Sequence, residues 1–187
     1  MKRALLIVDV QKDFCEGGTL GVKGSSEIIP VINDLIKKFR ASNDLIIGSK
    51  DWHPKNHCSF SVWPVHCVQN SEGSEFHPEL LPIENVIHKG MNLDIDSYSC
   101  FFDNERSNKT DLDLLLKKNS IDTLYIAGLA TDYCVKFTTL DACSLGYKVF
   151  LVKDGCKGVN LLENSSDLAL LEMEKNGANL ITSKDII

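Results

Sequence analysis

Short apolar runs alternate with longer amphipathic stretches along this chain. The first run, from Ala4 to Val8, is continuously apolar and too short for a helix, which is typical of a strand covered on both faces. After a glycine-rich loop, apolar positions recur at helical spacing from Ile28 to Phe39, with Ser25 and Ser26 as candidate caps. Similar short runs predict five more strands, at 45–47, 86–87, 124–127, 149–152 and 180–181.

Three further stretches show helical spacing between these predicted strands. They cover residues 112–116, 135–145 and 168–173, and the last two are followed by Gly146 and Gly177, residues that commonly end helices. Strands that alternate with helices predict a three-layer α/β/α fold, with a mostly parallel six-stranded sheet and helices on both faces. Because no repeat or linker-like segment interrupts the pattern, we expect one domain over residues 1–187.

Composition and charge narrow the class of partner. The chain has 187 residues, of which 43% are hydrophobic, enough for one sizeable core. A net charge of -6, without long Lys/Arg runs, argues against binding to nucleic acid or to anionic lipid. No apolar stretch has membrane-spanning length, and no export signal is recognisable. The seven cysteines are therefore expected to be reduced thiols, in a cytoplasmic protein whose partner is a small molecule.

The segment from 50 to 82 lacks sustained periodicity but is rich in histidine. It contains Asp51, His53, His57 and His66, which together offer one carboxylate and three imidazoles. This donor set suits zinc, manganese or iron. The spacing alone is equally compatible with histidines that are exposed or hydrogen-bonded in loops.

Side chains that could act as acid, base or nucleophile also follow the predicted strands. Ligands of open parallel sheets bind beyond the carboxyl ends of the strands. Asp9 follows the first strand and Lys89 the third, while Cys134 lies near the start of a helix for which Thr131 is a candidate N-cap. Amides and the helix dipole there would lower the thiol pKa below its ordinary value of about 8.5, and could cradle an oxyanion. A cysteine picked at random is more often a small core residue, and the other six are interpreted in that way.

The motifs of the chain resemble those of the nicotinamidases, within the isochorismatase-like cysteine hydrolases. The resemblance rests on IVDVQKDFCEGG, SKDWHPKNH, WPVHC, HKG, GLATDYCV and DGCKGV, which occur in the expected order across nearly the whole chain. It implies an isochorismatase-like fold and conversion of nicotinamide to nicotinic acid and ammonia through a thioester. It also implies activity on pyrazinamide, and a role in NAD salvage follows from the reaction.

Site residues follow from the resemblance, position by position. The implied catalytic triad is Asp9, Lys89 and Cys134. The implied metal ligands are Asp51, His53, His57 and His66. The implied substrate-binding residues are Phe14, Trp63, Tyr98 and Leu129. The implied oxyanion hole consists of the Ala130 and Cys134 amides, and the peptide joining Leu129 to Ala130 is expected to be cis.

One departure from the family pattern and two alternatives remain beside this hypothesis. Where some relatives have histidine before the nucleophile this chain has Tyr133, which we assign no proton-transfer role. The nearest alternative is a related cysteine hydrolase acting on a carbamoyl or ureido substrate. A second alternative is a non-catalytic metal-binding or ligand-binding module. The sequence does not identify the metal, and it is compatible with a homo-oligomer without requiring one.

Overall fold

The computed structural model describes residues 2–186 and contains a six-stranded sheet in which all neighbouring strands are parallel. The strand order is β3-β2-β1-β4-β5-β6. The strands are β1 (Arg3–Val8), β2 (Leu45–Asp51), β3 (Asn85–Lys89), β4 (Thr123–Leu129), β5 (Lys148–Lys157) and β6 (Asn179–Ile181). This confirms the predicted α/β fold with its six-stranded parallel sheet.

Helices cover both faces of the sheet. They are α1 (Ile28–Ala41), α2 (Leu112–Lys118), α3 (Cys134–Ser144) and α4 (Ser165–Lys175). Helix α1 packs on β1, β2 and β5, whereas α3 packs on β4, β5 and α4. The connection from β1 to β2 moves toward one edge of the sheet, whereas the connections from β4 to β5 and from β5 to β6 move toward the other edge. Crossovers between parallel strands are right-handed, so opposite directions place the connecting helices on opposite faces. Helix α1 therefore lies on one face, and α3 and α4 lie on the other.

The predicted caps are wrong at two helices. Ser25 and Ser26 form part of a 3₁₀ turn before α1, where their hydroxyls bond the Glu16 backbone and carboxylate and so hold the glycine-rich loop. Helix α3 begins at Cys134 after Tyr133, and no side chain caps it. Thr131 is too far upstream to cap this helix, and its amide instead donates to the Lys157 carbonyl.

The central strands create the crevice in which the polar residues collect. Strand β1 is completely buried from Ala4 to Val8, because β2 and β4 flank it and helices cover it. Strand order reverses at β1 and β4, since the chain passes from β1 to one side and from β4 to the other. Ligands bind at such switch points, beyond the carboxyl ends of the strands.

The irregular segment between β2 and β3 is tied to those strand ends. The Trp52 amide donates to the Lys89 carbonyl, and His53 exchanges backbone hydrogen bonds with Cys67 and Gln69. The segment contains 3₁₀ turns in place of α-helix. All seven cysteines are free thiols. Within residues 2–186, no helix is both long and apolar enough to cross a membrane.

Candidate active site

The structure brings together the three residues of the predicted catalytic triad. Asp9 follows β1, Lys89 is the last residue of β3, and Cys134 is the first residue of α3. The Lys89 Nζ lies 2.9 Å from Asp9 Oδ2 and 3.5 Å from Cys134 Sγ. It also donates to the Asp51 carboxylate and to the Ser97 carbonyl. The ammonium group thus fixes the acid and the thiol around one buried positive charge.

Burial governs the electrostatics of this group. Burial raises the pKa of Asp9 above its ordinary value, although the Lys89 cation opposes the change. Burial would lower the pKa of Lys89, but Asp51 and Asp9 outweigh it and hold that pKa well above the ordinary range. Lys89 is therefore a permanent cation, and Asp9 has an increased affinity for a proton.

The expectation that the helix N-terminus lowers the thiol pKa of Cys134 is wrong for this structure. Burial raises the pKa of Cys134 well above its ordinary value, with Lys89 opposing and the carboxylates of Asp9 and Asp51 adding to the rise. Cys134 therefore rests as a thiol. It needs a neighbouring base to become a nucleophile, and Asp9 is placed to accept its proton.

Strand β4 brings the nucleophile loop close to Asp9 through a glycine. Gly128 pairs with Val8 and has φ +127, and a Cβ at this position would lie 2.1 Å from the Val8 carbonyl oxygen. Only glycine permits such an approach of two backbones. The peptide joining Leu129 to Ala130 is cis, as expected.

Two backbone amides beside the thiol are free to bind a ligand. The Ala130 carbonyl accepts hydrogen bonds from the amides of Tyr133 and Val135. The amides of Ala130 and Cys134 themselves donate to no acceptor within residues 2–186. Paired amides next to a nucleophile can stabilise a tetrahedral oxyanion, so the predicted oxyanion hole has the donors it needs.

Three of the predicted metal ligands form one buried group. Ligand atoms of Asp51, His53 and His66 all lie within 4.8 Å of one another. The Nδ1 atoms of the two histidines lie 2.9 Å from the Gly90 carbonyl oxygen and 2.7 Å from that of Pro64. A carbonyl can only accept a hydrogen bond, so each Nδ1 carries a proton, and in the neutral ring each Nε2 presents a lone pair.

This group fits a divalent cation. The Nε2 of His53 is fully buried and has no hydrogen-bond partner in the described part of the chain. A buried polar atom without a partner is costly, and a metal ion would satisfy it. One carboxylate and two imidazoles match the donors preferred by zinc.

The structure places His57 in a different group from Asp51 and His66. The His57 ring stacks on His53 at 4.0 Å, and its Nδ1 accepts a hydrogen bond from the Ser59 amide. The Ser59 hydroxyl also lies 2.7 Å from this Nδ1, so Ser59 holds the ring, and the His57 ligand atom groups with His53 and not with Asp51 and His66. The predicted four-ligand set is therefore arranged as three convergent ligands with His57 beside them.

Asp96 joins His57 and was missed by the sequence analysis. Ligand atoms of His53, His57 and Asp96 also lie within 4.8 Å of one another. Asp96 faces the same cavity as Cys134, and its Oδ1 accepts the Ser97 amide. Acidic loop residues are common, and the only sequence signal was the position of Asp96 shortly after Lys89, in a loop beyond a strand end.

An apolar cavity of about 480 Å³, its open mouth included, leads to Cys134. All four predicted substrate-binding residues line it, namely Phe14, Trp63, Tyr98 and Leu129. Trp63 donates its indole N–H to the Tyr98 hydroxyl over 3.2 Å, which joins two separate segments across the cavity. Sequence analysis missed the aliphatic wall, formed by Leu20, Val22 and Val159.

Comparison with known proteins places this arrangement in context. Residues 3–185 match the family model described as the isochorismatase domain. A nicotinamidase of Escherichia coli (strain K12) is 48% identical, over 98% of this chain and 96% of that protein.

Two solved structures are also similar. A pyrazinamidase of Pyrococcus horikoshii in complex with zinc has a TM-score of 0.89 and 39% identity, covering 97% of this chain and 99% of the other. A protein of L. infantum in complex with nicotinate has a TM-score of 0.92 and 34% identity, covering 100% and 95%.

Proposed function

Because the chain belongs to the isochorismatase domain family, we propose that it is an amidohydrolase that converts nicotinamide to nicotinic acid and ammonia. One observation carries the proposal: the Lys89 ammonium contacts both Asp9 and Cys134 at the end of an aromatic cavity. Such a cavity accommodates a flat ring, and the thiol lies where a carboxamide on that ring would be presented. Pyrazinamide carries the same carboxamide on a related ring and is a second substrate.

Acylation begins with a proton transfer from Cys134 to Asp9. Lys89 stabilises the thiolate that forms, because its charge lies 3.5 Å from Sγ. The thiolate attacks the carboxamide carbon, and the Ala130 and Cys134 amides stabilise the oxyanion. Asp9 then donates its proton to the departing nitrogen, so ammonia leaves and a thioester to Cys134 remains.

Deacylation uses the same acid and base. Asp9, again unprotonated, removes a proton from a water molecule whose oxygen attacks the thioester carbon. The second oxyanion occupies the same pair of amides. Collapse releases nicotinic acid, and the proton held by Asp9 returns to the thiolate of Cys134, which restores the starting state.

Asp51, His53 and His66 would hold a divalent ion, with His57 and Asp96 beside it. The pyrazinamidase of Pyrococcus horikoshii was solved with zinc, which supports zinc here, while manganese and iron accept the same donors. When bound, the ion supplies a Lewis-acidic position for the ring nitrogen and so orients the ring. Trp63 and Tyr98 enclose the ring, while Phe14 and Leu129 complete its apolar surroundings.

The test is release of ammonia by metal-replete protein from nicotinamide, compared with benzamide and a ureido compound. Release from nicotinamide that disappears in the Cys134→Ala variant supports both the substrate and the nucleophile. Preferential release from the ureido compound favours the related carbamoyl hydrolases. Absence of release from every compound, with metal bound, favours a non-catalytic binding module and contradicts the proposal.

The reaction also suggests a cellular role. Nicotinamide is the amide released when NAD is consumed, and its hydrolysis returns the ring as the free acid. We therefore propose that this protein acts in NAD salvage in the cytoplasm, as one domain. Excretion of nicotinamide by cells that lack the protein, with normal uptake of nicotinic acid, is the expected phenotype.

A further inference from the structure

Two buried side chains cross between the ends of β1 and β2 in opposite directions. Ser49, on β2, bonds to Asp9 at the end of β1. Gln11, just beyond β1, bonds to Asp51 at the end of β2. Asp9 belongs to the triad and Asp51 to the metal ligands, so the two side chains link the two halves of the site.

Ser49 holds both the backbone and the side chain of Asp9. Its Oγ donates to Asp9 Oδ1 over 2.6 Å and accepts the Asp9 amide over 3.2 Å. Asp9 has φ +49, a left-handed conformation that is uncommon outside glycine, and the Ser49 hydroxyl supports it by accepting the Asp9 amide. With Oδ1 engaged by Ser49, Oδ2 is the oxygen that faces Lys89. Ser49 therefore decides which carboxylate oxygen is turned toward the reacting groups.

Gln11 holds both backbone groups of Asp51. Its Oε1 accepts the Asp51 amide over 2.8 Å, and its Nε2 donates to the Asp51 carbonyl over 2.8 Å. The same Nε2 donates to the Ser74 carbonyl over 3.0 Å. The Gln11 side chain is completely buried. Its amide forms the two backbone hydrogen bonds to Asp51 that a neighbouring strand would otherwise form, because β1 has already ended at Val8.

We propose that Ser49 and Gln11 are positioning residues, Ser49 for the proton-accepting carboxylate of Asp9 and Gln11 for the metal-binding carboxylate of Asp51. The two carboxylates lie close enough to repel, since ligand atoms of Asp9, Asp51 and Cys134 fall within 4.8 Å of one another. Lys89 offsets this repulsion, but one ammonium group does not fix the orientation of two carboxylates. The Ser49 role rests on the proposed function, whereas the Gln11 role rests on the proposed metal site.

The two roles are separable by experiment. Ser49→Ala is expected to lower kcat for nicotinamide by about tenfold or more, because misplacing a reacting group by about 1 Å can cost about a hundredfold in rate. Zinc affinity, measured by competition with a chromophoric chelator, is expected to stay within about twofold. Gln11→Met is expected to weaken zinc binding by about tenfold or more, as loss of supporting partners of metal ligands does. Its kcat at saturating zinc is expected to fall less than that of Ser49→Ala.

Controls separate positioning from loss of packing. Thr139→Val removes a buried hydroxyl that has no hydrogen-bond partner in the described part of the chain, and should leave kcat, KM and zinc affinity unchanged. Ser49→Thr retains the hydroxyl and should recover most of the kcat lost in Ser49→Ala. If Gln11→Met does not fold, Gln11→Asn keeps the amide but shortens its reach, and is expected to weaken zinc binding in the same way.

The outcomes are distinguishable from failure of the proposed function. Equal losses of kcat and zinc affinity in Ser49→Ala and the folded Gln11 variant would overturn the division of roles, as would wild-type values in either. If wild-type protein releases no ammonia, the proposed function fails and the Asp9 role with it. The Gln11 role is then tested by the zinc affinity of the Gln11 variants alone.

Discussion

Asp51 and Lys89 are register partners at the ends of the neighbouring strands β2 and β3, and the Lys89 ammonium donates a hydrogen bond to the Asp51 carboxylate. One cation therefore contacts both the proposed triad and the proposed group of metal ligands. Strand pairing sets this relationship, because it places the two residues side by side at the same edge of the sheet.

Replacing Lys89 by Met should destabilise the protein as well as inactivate it. The change leaves Asp9 and Asp51 buried without their cation, and removing one partner of a buried ion pair costs about 3–5 kcal/mol. Urea denaturation measures the free energy of unfolding. Lys136→Met removes the partly exposed partner of Glu172 and should cost less than about 1 kcal/mol. Equal losses in both variants would contradict the shared role of Lys89.

His53 and His57 should differ in their effect on metal binding. His53→Ala removes a buried nitrogen that has no hydrogen-bond partner among residues 2–186, and we expect zinc affinity to fall by about a hundredfold or more. His57→Ala should cost about tenfold or less, because the Nδ1 of His57 is already engaged by Ser59. The zinc content of the two variants is compared after dialysis against a chelator. If His57→Ala loses zinc as completely as His53→Ala does, the prediction is contradicted and His57 is a metal ligand.

The hydrogen bond from Trp63 to Tyr98 should affect substrate binding more than chemistry. Tyr98→Phe removes the hydroxyl that accepts the indole N–H but keeps the ring in the cavity wall. We expect KM for nicotinamide to rise about threefold to tenfold, since a lost hydrogen bond contributes about 1 kcal/mol, with kcat nearly unchanged. A fall in kcat at unchanged KM would show that Tyr98 acts in the chemical step.

Activity should be lost on the acid side at a higher pH than an ordinary aspartate would give. Burial raises the pKa of Asp9, and in the proposed mechanism only the unprotonated form of Asp9 accepts the proton of Cys134. As pH falls through this raised pKa, Asp9 holds a proton and kcat/KM declines. We expect the midpoint above about pH 4, the ordinary value for aspartate.

Metal release must be followed in the same pH titration. Protonation of the ligand histidines would also reduce activity, so bound zinc is measured at each pH. A decline in kcat/KM while zinc remains bound supports the assignment to Asp9. A flat profile down to pH 4 with zinc bound argues against it.

Periodicity predicted the elements of this fold because the central strands and helix faces are buried. The run from Ala4 to Val8 is apolar at every position since both faces of β1 are covered, which leaves a clear signal. The caps were not predictable in the same way. Ser25 and Ser26 have the composition of caps, but their hydroxyls bond Glu16, a residue brought to them by the glycine-rich loop.

The site was predictable as a set of residues but not as an arrangement. Motifs supplied the triad and the histidines, yet the proton positions of His53 and His66 depend on carbonyls of Gly90 and Pro64. The thiol pKa of Cys134 was misjudged because burial is a property of the folded chain. The contacts of Ser49 and Gln11 were not predictable from the sequence for a similar reason, because each side chain bonds a residue forty positions away.

The contact between Gly128 and Val8 limits how this sequence can vary. Any side chain at position 128 would meet the Val8 carbonyl, so accommodating it requires β4 to move away from β1. That movement would carry Cys134 away from Asp9, because Asp9 directly follows β1 and the short loop after β4 leads to Cys134. A substitution here would thus separate the proposed nucleophile from its proposed base without altering either one, and populations under selection for the proposed activity should carry no variant at position 128.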